Sequence, residues 1–304
     1  MFTSRFYNTA FWDNLRERHN VGNELHEGEL GDNIFITPLE FRDNFAAALA
    51  KDNLFRRHAT VISTTPSDFG IEAITSTGTA AWVESGTPIP ESSDTFTQLA
   101  LHSNKLAALS RIRTSFIKDT NFDLERYLTE EFARRFGRAE ENGFLNGSGE
   151  NEPYGILHPE QGAQVGVTAA SATEITFDEV VKLYFSLAPE YRQNARWIMN
   201  DETAFYLRTL KDKDGAYLWR DRDDTIFGKP VEISPYAPGM ATGASPIVLA
   251  DLHYYWVTQR QPLTVRILKE RYAQQGQIGL LAYENLDGRL IIPEAGKRLI
   301  MADG

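Results

Sequence analysis

Residues Ala80–Leu101 read AAWVESGTPIPESSDTFTQLAL, and the fold turns on what this stretch is for. Pro88 and Pro90, two apart, exclude a helix and a central strand here, because proline fixes φ and lacks an N–H. Yet Trp82, Ile89 and Phe96 are residues that ordinarily enter a core. A long, polar, proline-stiffened excursion that carries such side chains either folds back on its own domain or reaches for another surface.

Outward from this stretch, Thr95–Leu109 predicts a strand, followed by the strongest helix in the chain, from Asp119 or Asn121 to Asn142. In it Leu124, Leu128, Phe132 and Phe136 recur at i+4, with Tyr127 beside them. Asp123 and Glu125 near its start, and Arg134, Arg135 and Arg138 nearer its end, suit the helix dipole. Gly143, Gly147 and Gly149 are expected to break it in GFLNGSGENEPYGIL. Upstream, Gly70–Ser76 and Leu54–Thr64 read as strands. Thr37-Pro38-Leu39-Glu40 predicts a helix start with Thr37 as N-cap, and Phe41, Phe45, Ala48 and Leu49 share one face of that helix. Phe6, Tyr7, Phe11, Trp12 and Leu15 suggest a short amphipathic helix, followed by the polar, glycine-punctuated VGNELHEGELGDN.

From Thr176 the pattern becomes α/β. Helices are expected from Thr176 to Ser186 and after Asn200 or Asp201, and strands at Ala195–Met199, Pro230–Ser234 and Pro246–Ala250. The tail from Tyr254 is strand-rich (YYWVTQ, LTVRILKE, QIGLLAYEN, RLIIPE), with Asn285-Leu286-Asp287-Gly288 reading as a hairpin turn. The fold class is α+β.

The search for chemistry comes up empty. With no cysteine, disulfides, thiolate metal sites and cysteine nucleophiles are excluded together. The histidines His19, His26, His58, His102, His158 and His253 are dispersed, without metal-ligand spacing. Gly147-Ser148-Gly149 is not a nucleophile elbow, and no phosphate-binding glycine motif occurs. Glu130, Glu131 and the arginines after them are consecutive on a helix, so they read as a solvated or partner-facing surface. The net charge of −11 argues against a dedicated nucleic-acid binder, whose affinity rests on neutralising phosphates, though not against enclosing nucleic acid. No apolar run approaches the roughly 18 residues of a membrane span. No catalytic, cofactor-binding or metal site is assigned.

Six short motifs in order carry a resemblance that covers the chain from about Asn33 to its end. They are Phe35-Ile-Thr-Pro-Leu-Glu-Phe; Ala81-Trp-Val-Glu-Ser-Gly-Thr-Pro-Ile-Pro-Glu-Ser; Lys105-Leu-Ala-Ala-Leu leading to Lys118-Asp119; Phe144-Leu-Asn-Gly-Ser-Gly with Pro153-Tyr-Gly-Ile-Leu; Met199-Asn-Asp with Leu210-Lys-Asp-Lys-Asp-Gly; and Phe227-Gly-Lys-Pro-Val followed by Pro238. The chain resembles the HK97-like major capsid proteins of tailed double-stranded DNA bacteriophages. The resemblance implies an N-arm at 1–37, the start of a P-domain at 38–64 and an E-loop hairpin at 65–108 reaching over a neighbouring subunit. It further implies a P-domain spine helix and G-loop at 109–157, an A-domain at 158–253, and returning P-domain strands with a C-terminal tail at 254–304.

The implied function is self-assembly, through pentamers and hexamers, into an icosahedral head enclosing double-stranded DNA without sequence-specific binding. The implied partners are further copies of the chain, a portal, scaffolding or a prohead protease, and decoration proteins; the implied location is the virion, with assembly in the bacterial host cytoplasm. The other readings are an encapsulin-like cargo compartment of the same fold and a soluble carboxylate-based hydrolase. FYNTAFWDNLRER resembles the end of the family's scaffolding segment, which implies a cleaved or truncated form or a relative with separate scaffolding. The expected intersubunit contacts are Trp82, Ile89 and Phe96 as anchors, with Pro88 and Pro90 lowering the ordering entropy of the arm. Glu84, Glu91 and Asp94 are expected to meet Arg134, Arg135 or Arg138 of a neighbour.

Some members of that family join subunits through a lysine–asparagine isopeptide bond, but no lysine lies between Ala80 and Asn104, and Lys105 sits at the hairpin's base. The shells are therefore expected to be non-covalent: boiled in denaturant and run on a gel, they give a single monomer band. A ladder of crosslinked species refutes this.

Overall fold

A computed structural model describes residues 5–16, 29–31, 34–64, 70–76, 82–83, 87, 95–100, 102–119, 122–219 and 224–303. Along the chain the helices are α1 (Arg5–Leu15), α2 (Leu39–Asp52), α3 (Leu54–His58), α4 (Thr114–Lys118), α5 (Leu124–Asn146), α6 (Phe177–Ser186), α7 (Pro189–Arg192) and α8 (Asp201–Thr209). The strands of the first half are β1 (Glu29–Gly31), β2 (Ile34–Ile36), β3 (Thr60–Ser63), β4 (Gly70–Ser76), β5 (Thr95–Ala100) and β6 (Asn104–Arg113). Those of the second half are β7 (Gln164–Thr168), β8 (Arg196–Met199), β9 (Thr225–Ile226), β10 (Lys229–Ile233), β11 (Ile247–Ala250), β12 (Tyr255–Leu268), β13 (Gln277–Leu290) and β14 (Gly296–Ile300).

One sheet runs β1-β2-β12-β13-β6, with β3 also paired to β12. Its centre is the long antiparallel pair β12–β13, which Gly276 helps to close with a left-handed φ of 63°. Two expectations for the tail change here. YYWVTQ and LTVRILKE form one strand, whose register shifts between Gln259 and Thr264, around Pro262. Asn285–Gly288 is not a hairpin turn: it lies inside β13, where Leu286 pairs with both Gln259 and Asn104. Turn-forming residue types there are overridden by a partner strand on either side.

Helix α5 lies across one face of this sheet. Leu124, Leu128, Phe132 and Phe136 are all buried, among Phe41, Phe45 and Leu49 of α2 and Val265, Ile267, Ile278 and Leu280 of the sheet. Asp123 caps α5 through the Arg126 N–H. Gly143 does not end the helix, which continues to Asn146. Tyr7, Phe11 and Leu15 of α1 are buried in this same core, so these N-terminal side chains are satisfied within the chain and need no partner surface. Thr37 does not cap α2; its hydroxyl donates instead to the Leu263 carbonyl, 2.6 Å away. Residues 54–58 are helix rather than strand, because the Asn53 side chain accepts from the Phe55 and Arg56 N–H groups. Thr95–Leu109 divides into β5, paired with β4, and β6, paired with β13.

The second sheet, β7-β14-β11-β8-β10-β9, is mixed, and all four residues of β11 are buried, as expected of a strand covered on both faces. Thr176 and Glu179 form the capping box that starts α6, and Asn200 caps α8 through the Thr203 N–H. The two halves meet where Phe55, Phe144 and Tyr255 stack at centroid distances of 4.9–5.7 Å, with Ile198 and Val248 of the second sheet in the same cluster.

The glycine loop folds back on the end of α5. The N–H groups of Gly155, Ile156 and Leu157 donate to the carbonyls of Gly147, Phe144 and Leu145, so the helix's last carbonyls are met by its own loop. A Cβ on Gly155 would lie 2.5 Å from the Gly147 nitrogen and 2.6 Å from the Leu145 oxygen. A Cβ on Gly143 meets nothing closer than 3.5 Å. Gly155→Ala is therefore expected to destabilise by more than about 2 kcal/mol. Gly143→Ala, in a helix interior, is expected to be neutral or to stabilise by up to about 1 kcal/mol. Denaturant midpoints of the two variants check this; equal midpoints overturn it.

Candidate intersubunit site

The hairpin begins at its root. His102 and Asn104, between β5 and the body of β6, both bond to Asp287: the His102 N–H donates to Oδ2 at 2.8 Å and the Asn104 amide to Oδ1 at 3.2 Å. Burial raises the Asp287 pKa, while the backbone N–H groups of His102 and Gly288 oppose the rise. β4 and β5 then pair antiparallel from Gly70↔Ala100 to Ser76↔Thr95, away from the main sheet. Beyond them Trp82 is fully exposed, at 106% of its reference area, and Val83 and Thr87 are exposed as well. Phe96 is placed by its backbone, opposite Ile74. Glu84, Pro88, Ile89, Pro90, Glu91 and Asp94 lie outside the described residues.

The three arginines of α5 are not equivalent. Arg134 and Arg135 both pair with Glu131, Arg135 through Nε at 2.7 Å, and Arg135 also donates to the Leu109 carbonyl at 2.9 Å. Glu131 is thereby drawn down to 9% exposure, not solvated as the charge run suggests. Arg138 is exposed and forms no ion pair among the described residues.

A second cationic surface was hidden in an ordinary alternation. In β6, Lys105, Ala107, Leu109, Arg111 and Arg113 all point away from α5. The facing residues of β13 (Gln277, Gly279, Leu281, Tyr283 and Asn285) and Arg266 of β12 continue that face. No acid occupies any of these positions, in a chain with 42 acidic and 31 basic residues. Lys105 sits 4.1 Å over the Tyr283 ring, and the Arg111 guanidinium is 5.7 Å from that of Tyr272. The signal was the period-2 spacing of basic residues in KLAALSRIR.

Beneath the sheet lies a buried polar joint with no motif to announce it. Arg56 forks onto Glu140, with Nε–Oε2 at 2.9 Å and Nη2–Oε1 at 2.5 Å, and Nη2 is 3.9 Å from Glu284. The Asn53 amide also donates to Glu140, and the Gln259 amide to Glu284 at 2.7 Å. Next door, Glu141 accepts from the Leu54 N–H and the Ser234 hydroxyl. Glu232 gathers Arg57, His58 and Arg196 at 2.9–3.2 Å. Burial, and Arg196 beside it, lower the His58 pKa. Among the described residues no cluster of three or more His, Asp or Glu forms a metal-binding group, and no helix is long and apolar enough to cross a membrane.

A long helix across one sheet, a hairpin projecting from that sheet and a second mixed sheet together define the HK97-like capsid fold, in the α+β class. The capsid of a native GTA particle superposes with a TM-score of 0.68 at 26% identity, over 82% of this chain and 89% of that one. A chain of Microbacterium phage Oxtober96 does so at 0.57 and 16%, over 82% and 91%. A chain of the satellite phage P4 procapsid, a particle that includes the size determination protein, does so at 0.58 and 12%, over 86% and 99%. The last two carry the fold alone. No curated protein matches the chain. The profile of the phage capsid family matches residues 34–299, and the chain belongs to that family. It is a shell protein of the virion capsid, built to act as an oligomer.

Glu284 is wholly buried beside Glu140, and its pKa is raised to about 8, chiefly by burial. A carboxyl whose folded pKa lies above its unfolded value of 4.5 keeps its proton longer when folded. Its stabilising contribution is complete below pH 4.5 and is lost as pH rises through about 8. Glu284→Gln, permanently neutral, is expected to exceed the wild type at pH 8 by on the order of 1 kcal/mol. The advantage shrinks towards pH 5. Unfolding midpoints at the two pH values check this, and an equal difference at both refutes it.

Proposed function

We propose that copies of this chain assemble as pentamers and hexamers into a closed icosahedral shell that encloses double-stranded DNA without sequence-specific binding, and that the chain is not an enzyme. The observation that carries this reading is Trp82, fully exposed on an arm whose root is fixed to the main sheet by Asp287. An exposed tryptophan on a positioned arm is a contact awaiting a second copy. In this reading 1–37 is the N-arm, 65–108 the E-loop, and 38–64, 109–157 and 254–304 the P-domain with its G-loop. Residues 158–253 form the A-domain around the capsomer axis. A portal, scaffolding or a prohead protease, and decoration proteins complete the particle, which is built in the host cytoplasm.

The charge pairing is refined by the geometry. Arg134 and Arg135 already share Glu131 within the chain. Arg138 and the acid-free face of Lys105, Arg111 and Arg113 are the better partners for Glu84, Glu91 and Asp94 of a neighbouring hairpin. Opposite charges there add register more than affinity, and strength comes from many weak contacts repeated over the shell.

Size exclusion followed by electron microscopy is expected to show icosahedral particles. Nucleic acid inside them supports the phage head; a protein cargo assigns an encapsulin-like compartment; a monomer or small oligomer overturns the shell. Trp82→Ala is expected to leave the fold intact and to lower the assembled fraction by roughly tenfold or more in sedimentation. Undiminished assembly removes Trp82 as an anchor.

A further inference from the structure

Helices α6 and α8 cover the same face of the second sheet. Val180 and Leu183 of α6 and Ala204 and Leu207 of α8 are buried among Trp197, Met199, Leu249 and Leu299. Each helix leaves one phenylalanine outside. Phe185 is 65% exposed and Phe205 is 69% exposed, the highest values among the described large apolar side chains after Trp82 and Phe6. The Tyr184 ring, 5.2 Å from that of Phe185 and 5.1 Å from that of Phe227, extends the first of these into an aromatic patch. Exposed apolar surface of this kind on a protein that acts as an oligomer marks a contact.

The surroundings of the two rings carry opposite charge. Beside Phe185 are Lys182, one turn earlier, and Arg192. The Arg192 guanidinium lies 5.1 Å from the Phe185 ring centre and 4.8 Å from that of Tyr184, and it donates to the Leu187 carbonyl at 2.6 Å, so it is held in place on the patch. Neither cation forms an ion pair among the described residues, and Glu179 next to Lys182 serves the N–H groups of Ala170 and Thr176. Asp178 stands two turns from Phe185, and Glu190 is engaged by Tyr191. Beside Phe205, on the preceding turn of α8, are Asp201 and Glu202, both exposed and neither in an ion pair among the described residues. Arg208, one turn later, is neutralised by Asp224.

Two copies meeting through the same patch would set like charges against each other at either ring. Unlike patches meet only head to tail, and contacts of that kind close into rings. We infer that Phe185, Lys182 and Arg192 of one copy dock against Phe205, Asp201 and Glu202 of the next, head to tail around the capsomer axis. The aromatic rings and Arg192 supply the buried anchors, and the opposite charges fix the register. This contact rests on the shell reading above and is separate from the hairpin contacts, which lie on the main sheet.

Shells of the full chain, treated with a carbodiimide that joins an amine to a carboxylate, test the contact. Peptide masses are expected to show a link from Lys182 to Asp201 or Glu202 in the dimer band and not in the monomer band. Lys182→Glu and Glu202→Lys are each expected to keep the native circular dichroism spectrum and to lower the assembled fraction in sedimentation by about tenfold or more. Combined in one chain they restore opposite charges at every contact, and assembly is expected to return to within about threefold of the wild type. Single variants that assemble like the wild type, a double variant no better than the singles, or a dimer band without the Lys182 link each overturns the contact. If a variant does not fold, the crosslink, which needs no substitution, decides. Failure of these tests in a wild type that forms shells removes this contact alone; a wild type that forms no shells defeats the shell reading and this contact with it.

Discussion

The last turns of α5 hold the molecule together through two consecutive carboxylates. Glu140 takes Arg56 and Asn53, while Glu141 takes the Leu54 N–H and the Ser234 hydroxyl. One helix end therefore grips α3 with both side chains and the second sheet with one of them. A buried ion pair seldom adds much net stability, because desolvation offsets its attraction, but it tolerates very few geometries. Here that restriction fixes how the two sheets are set, and the Phe55–Phe144–Tyr255 cluster fills the space it leaves. Glu232 repeats the device one step away, joining α3 to β8 and β10 through Arg57, His58 and Arg196.

Rigidity of this joint serves the arm. The hairpin leaves the body next to β13, and Asp287 ties its return strand to that strand's backbone neighbourhood. β13 in turn pairs along its length with β12, and α5 packs on both. In the proposed shell the arm's reach has to be reproducible from copy to copy, since each copy would then meet the same point on its neighbour.

Much of this was legible in the sequence, and the parts that were not share a cause. The i+4 repeat of Leu124, Leu128, Phe132 and Phe136 and the helix starts at Thr176 and Asn200 are local signals, and they read correctly. Asn53 starting a helix at Leu54 is local too, but it was masked by strand-like residues such as Val61 and Ile62 that follow it. Asn285–Gly288 failed as a turn because two neighbouring strands decide its conformation, and those strands are distant in sequence. The Arg56–Glu140–Glu284 joint joins residues from three separated segments, and charge type gives no hint of burial. Glu131 and Glu140 look alike in sequence. One is held near the surface by two arginines on its own helix, the other is enclosed by a neighbour from another.

Among the described residues strand β6 ends the main sheet, and its outer row of backbone groups has no partner strand there. For a protein made in many copies, an open edge of ten residues is an invitation to cross-strand aggregation. Arg135 answers part of it by reaching from α5 to the Leu109 carbonyl near the middle of that edge. Lys105, Arg111 and Arg113 spread charge along the rest, so two such edges repel each other. Copies of the chain crowded together are thereby discouraged from pairing edge to edge.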